Sequence, residues 1–192
     1  MCDEGGQEYR TSRVPRPWLR RPTPTASSHW RKPAVPAGIA LHFDRVSTKG
    51  SHNDLRLRIG AYRQKCDSYY FGLDEAPTAP GGLGARLARL LEQWGSQIAE
   101  LGRVGGTVYL PFDFSDQCTA WLRVSSEDGE DAEVQAGWSP IEGWGIAPSD
   151  YLATAARVQD FDPIPGARIQ CSLGDLTARI DANRSTLAAT GA

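Results

Sequence analysis

The stretch Leu87-Ala88-Arg89-Leu90-Leu91-Glu92-Gln93-Trp94-Gly95-Ser96-Gln97-Ile98-Ala99-Glu100-Leu101-Gly102 runs through Arg103-Val104 into Gly105-Gly106-Thr107-Val108-Tyr109-Leu110-Pro111-Phe112, and it holds the change of rhythm on which the fold turns. Leu87, Leu91, Trp94, Ile98 and Leu101 recur at steps of 4, 3, 4 and 3 residues, which is one apolar stripe of an amphipathic helix. The spacing predicts a helix of about 18 residues whose stripe packs on a sheet. Gly102 is placed to end it, and Gly105-Gly106 mark the break. From Thr107 the period falls to two. Val108, Leu110 and Phe112 share one side of an extended chain, with Thr107 and Tyr109 on the other.

Towards the N-terminus the same alternation appears twice. Ile39, Leu41 and Phe43 interleave with Ala40, His42 and Asp44; Leu55, Leu57 and Ile59 interleave with Asp54, Arg56 and Arg58. The turn-like run Ser47-Thr48-Lys49-Gly50-Ser51 joins them as a hairpin. A third short strand is expected at Tyr69–Leu73, before Pro77, Pro80, Gly81 and Gly82 interrupt the pattern.

Towards the C-terminus, Thr119–Val124 and Glu133–Trp138 read as strands on either side of the acidic turn Glu127-Asp128-Gly129-Glu130-Asp131. Ser149 is read as the cap of a short helix through about Arg157, and Arg168–Cys171 as the last strand. Ser172-Leu173-Gly174-Asp175 forms a capping box for a closing helix with Leu173, Leu176, Ile180 and Leu187 on its stripe. The order β-β-β-α-β-β-β-α-β-α with hairpin-length connections implies an α+β class. The expected arrangement is one mostly antiparallel sheet of about six or seven strands with two or three helices packed on one face.

The chain has 192 residues, is 40% hydrophobic and carries a formal net charge of −2, so it can build a core and offers no bulk-charge case for nucleic acid. No apolar run approaches a membrane span. Charge is unevenly spread. Residues 1–37 hold six of the 13 prolines and seven bases against three acids; the remainder holds fourteen bases against twenty acids. Residues 1–37 are therefore expected to be an extended, mostly disordered basic arm, with 38–192 as one domain. Val35 is an alternative start, since valine codons can initiate in bacteria and an Arg:Lys ratio of 18 to 3 fits a GC-rich genome. Without a secretory signal, and with Cys2, Cys66, Cys118 and Cys171 scattered, a cytoplasmic protein with reduced thiols is expected.

No P-loop, strand-borne GxGxxG, GxSxG or HExxH occurs, and no cofactor or metal is implied. Gly81-Gly82-Leu83-Gly84 lacks the lysine and hydroxyl of a phosphate loop and reads as a linker. His42 in a strand and His52 in a loop are placed too far apart in register for a two-histidine site. Asp113, Asp116 and Asp150 are candidate catalytic residues, because converging carboxylates divide acid and base roles in hydrolysis. Arg56, Arg58, Tyr109, Trp121 and Arg123 fall on the sheet face left by the apolar alternation, and arginine with aromatics is the composition of recognition surfaces. Trp121 is out of phase with Cys118, Ala120, Leu122 and Val124 and is expected to face away from the helices. The favoured reading is a non-enzymatic protein-binding module of immunity, inhibitor or adaptor type whose partner is another protein, with no membrane role. A carboxylate hydrolase, and nucleic-acid binding through the basic arm, are the alternatives.

Overall fold

A computed structural model describes residues 40–46, 52–73 and 82–189, all within one unit spanning residues 35–192. The basic arm, the Ser47–Ser51 turn and residues 74–81 lie outside the described residues; of the run Gly81-Gly82-Leu83-Gly84, expected as a linker, Gly82 is the N-cap of the long helix and Leu83 and Gly84 begin it. The fold is α+β with antiparallel sheets, and the seven strands among the described residues divide into two of them. The first holds β1 (Leu41–Arg45), β2 (Leu55–Ile59) and β3 (Tyr62–Cys66); the second holds β4 (Gly106–Phe114), β5 (Thr119–Ser126), β6 (Asp131–Ser139) and β7 (Asp162–Ser172). Each sheet is ordered as its strands run in sequence. The expectation of a single sheet of six or seven strands is thereby corrected. No ladder joins β3 to β4; the two are tied instead through side chains of Gln64 and Asp113.

Between the sheets in sequence come α1 (Tyr69–Leu73) and the long helix α2 (Leu83–Val104). A 3-10 turn at Gly143–Gly145 and α3 (Leu152–Ala155) lie between β6 and β7, and α4 (Leu173–Ala189) closes the fold. The stripe on α2 is buried as its spacing requires, with Leu87, Leu91 and Trp94 inaccessible to solvent. Trp94 stacks on Phe43 of β1 at 5.7 Å between ring centroids. α2 and α4 pack together and serve both sheets, α4 against β1 and β7, α2 against β4 and β5. Gly102 does not end α2. The helix runs on to Val104 and stops at Gly105, whose φ of 65° lets its N–H close on the Leu101 carbonyl.

Three further expectations change. Tyr69–Leu73 is a helical turn, not a strand: the Asp67 carboxylate accepts from the Tyr69 N–H (2.7 Å), and the Arg86 guanidinium donates to the carbonyls of Phe71 and Gly72 (2.6 and 2.7 Å). The third strand is Tyr62–Cys66, reached from β2 through the two-residue turn Gly60-Ala61. Ser149 does not cap a helix, because α3 begins only at Leu152 after Tyr151. Ser172 does cap α4, its Oγ accepting from the Asp175 N–H at 3.0 Å, but the expected box is only half made: the Asp175 carboxylate returns to the Ser172 hydroxyl (2.9 Å) and not to the Ser172 N–H.

Candidate functional site

The residues proposed as one recognition face stand on two different sheets. Arg56 and Arg58 project from the outer face of the first sheet, while Tyr109, Trp121 and Arg123 project from one face of the second. Strand alternation explains both placements, but only the three-dimensional packing separates them.

On the first sheet Leu41, Phe43, Leu55, Leu57 and Ile59 face the core. The opposite face carries two cross-strand rows, His42–Arg58–Arg63 and Asp44–Arg56–Lys65. Asp44 takes both arginines of β2: Arg56 donates through Nε and Nη2 (3.1 and 3.0 Å) and Arg58 through Nη2 (3.1 Å). Such a bidentate fork draws the guanidinia towards β1. Arg63 and Lys65 are exposed, and among the described residues neither has an ion-pair partner. Burial together with the neighbouring Arg58 and Arg179 holds the His42 imidazole below its ordinary value, against the pull of Asp44. Four of the fourteen bases beyond residue 37 thus crowd one small face of an otherwise acidic domain. Arg63 and Lys65 were not foreseen. The signal was present: Tyr62-Arg63-Gln64-Lys65-Cys66 repeats the alternation of β2 after a two-residue glycine turn.

Trp121 does not stand on an open surface. It is inaccessible to solvent, its indole N–H donates to Ser139 Oγ at 2.8 Å, and its ring meets Tyr151 edge-on at 6.4 Å. The β6–β7 connection folds back over this half of the sheet because two glycines permit close approach. A Cβ on Gly137 would lie 2.4 Å from Phe161 Cζ, and one on Gly143 would lie 2.7 Å from the Ser115 carbonyl oxygen. Tyr109 and Arg123 border the cover. Phe161 packs against Tyr109 at 5.6 Å, and the Arg123 guanidinium lies over the Phe161 ring at 4.9 Å while pairing with Glu133 at 3.8 Å. Phe161, absent from the sequence reading, is the centre of that cluster.

Asp113 and Asp116 both reach the segment following β3, whereas Asp150 lies exposed in the turn before α3. Among the described residues no three His, Cys, Asp or Glu side chains group as a metal ion would require. Asp113 enters the structure at a β-bulge, the pairing slipping between Pro111 and Asp113. Its carboxylate accepts from Gln64 Nε2 at 2.7 Å and from the Asp67 N–H at 3.0 Å, and Gln64 Oε1 accepts from the Tyr62 hydroxyl at 2.8 Å. Burial pushes this carboxyl up to about 6, helped by the charge of Asp67 and opposed by those two donors. The Cys66 thiol beside it is pushed well up by its own burial and by Asp113. Asp116 accepts from the Tyr70 hydroxyl, a bond that raises the phenol to about 12. These bonds join the two sheets and anchor α1. An open groove of about 700 Å³ lies elsewhere, lined by Ser125, Glu127, Asp128, Asp131 and Glu133 among others.

No protein-family model, no curated protein and no solved structure matches the chain. Among the described residues no helix is long and apolar enough to cross a membrane.

Proposed function

We propose that this chain is a non-enzymatic binding module, of adaptor, inhibitor or immunity type, that recognises an acidic segment of another protein through the outer face of β1–β2–β3. The observation that carries the reading is the pair of like-charged cross-strand neighbours Arg58↔Arg63 and Arg56↔Lys65. Like charges directly opposite one another weaken a sheet, and Asp44 pairs with Arg56 and Arg58 while Arg63 and Lys65 have no ion-pair partner among the described residues. A conflict between local charge and folding is the mark of a surface kept for a partner. An acidic partner relieves the repulsion and exchanges water for charge-assisted hydrogen bonds.

The test is binding of the full chain to poly-glutamate at low salt, followed by calorimetry. Binding that weakens with added salt, and disappears in an Arg63→Glu/Lys65→Glu double variant, supports the reading. Unchanged binding in that variant, or none in the native chain, removes it.

A further inference from the structure

The spacing of the cations says more than their sign. Arg58↔Arg63 and Arg56↔Lys65 are successive same-face rows, two residues apart on each strand. Strand rise places those rows about 6.7 Å apart. On the β1 side Asp44 already occupies Arg56 and Arg58, holding their guanidinia with three bonds of 3.0 to 3.1 Å. The β3 side is different: Arg63 and Lys65 are exposed, with no ion-pair partner among the described residues. The face therefore presents a two-toothed cationic comb along β3, backed by a second pair of bases on β2.

Resting on the reading above, we infer that the segment recognised is an extended stretch of another protein with acidic residues at alternate positions, so that successive carboxylates meet the Arg63 and Lys65 rows. Side chains two apart on an extended chain lie on one side at that same spacing of about 6.7 Å. A strand stacked on a sheet stands about 10 Å from it, a gap that one glutamate and one arginine span between them. An adjacent pair of acids on an extended chain points to opposite sides, so such a pair sets only one carboxylate over the comb. Total charge would govern on-rate and salt dependence, whereas alternation would govern affinity.

Three peptides of equal charge separate these effects on the full chain: an alternating Glu-Thr octapeptide, its isomer Glu-Glu-Thr-Thr-Thr-Glu-Glu-Thr, in which no two Glu stand two residues apart, and an alanine-based helix whose four Glu recur every seven residues, about 10.5 Å along its axis. Threonine favours the extended state in the first two. Fluorescence anisotropy is expected to show the alternating peptide binding about tenfold tighter than either other, the loss of one aligned charge-assisted contact. Arg63→Ala and Lys65→Ala should each erase most of that preference, while Arg123→Gln on the second sheet leaves it intact. Substituting Arg63→Glu or Lys65→Glu places opposite charges across from Arg58 or Arg56, so these variants should fold at least as well as the native chain. A thermal melt confirms that. Equal binding of the three peptides overturns the alternation while leaving acidic recognition in place. Failure of all three, with poly-glutamate also unbound, overturns both. Tighter binding to a DNA duplex or to phosphatidylserine vesicles than to the alternating peptide overturns a protein partner.

Discussion

At neutral pH the Asp113 carboxylate is ionised inside the junction of the two sheets, only 9% exposed, with its folded-state pKa lifted from 3.8 to about 6. A group lifted in this way binds more protons in the folded chain than in the unfolded one between those values. Its contribution to stability is complete below about pH 4 and is lost as the pH rises through about 6. Two pKa units correspond to about 3 kcal/mol. Asp113→Asn keeps the shape and removes the charge. Its carbonyl oxygen accepts from the Asp67 N–H, and its amide donates to Gln64 Oε1 once that side chain turns over and donates to the Tyr62 hydroxyl. Urea denaturation read by tryptophan fluorescence should give equal stabilities for the two proteins at pH 4. The variant should then become the more stable by up to about 3 kcal/mol at pH 7. A difference that does not change with pH refutes the reasoning. So does a native chain that gains on the variant as pH rises, because the two donors would then outweigh the cost of burial.

Trp121→Phe removes the shorter of the two bonds that Ser139 Oγ accepts, leaving the 3.4 Å bond from the Ile141 N–H, and should cost about 1–2 kcal/mol in chemical denaturation. Gly137→Ala drives a methyl group into Phe161 and the Asp162 carbonyl, so thermal unfolding should show a loss of about 1–3 kcal/mol as β7 is pushed from β6. Ser172→Ala deletes the cap of α4 and should cost about 1 kcal/mol, with Ser172→Gly costing only a few tenths, both measurable by circular dichroism melts.

Where burial alone selects side chains, the linear pattern was sufficient. The stripe Leu87–Leu101 specified α2, and the alternations at Leu41–Phe43, Leu55–Ile59 and Val108–Leu110 specified β1, β2 and β4, because period 3.6 and period 2 are the only regular ways to turn one apolar face inward. Ser172 and Asp175 announced α4 for a similar reason, since a cap acts within three residues. Tertiary structure decided the rest. Tyr69–Leu73 is helical through hydrogen bonds from Asp67 and the distant Arg86. The strands fall into two sheets because β3 meets β4 by side chains instead of a ladder. Trp121 is buried by a connection that returns from beyond β6, and the crowding of Arg56, Arg58, Arg63 and Lys65 depends on which strands pair. Each of these is a contact between residues far apart in the chain, and a local periodicity carries no record of which surface will come to cover another.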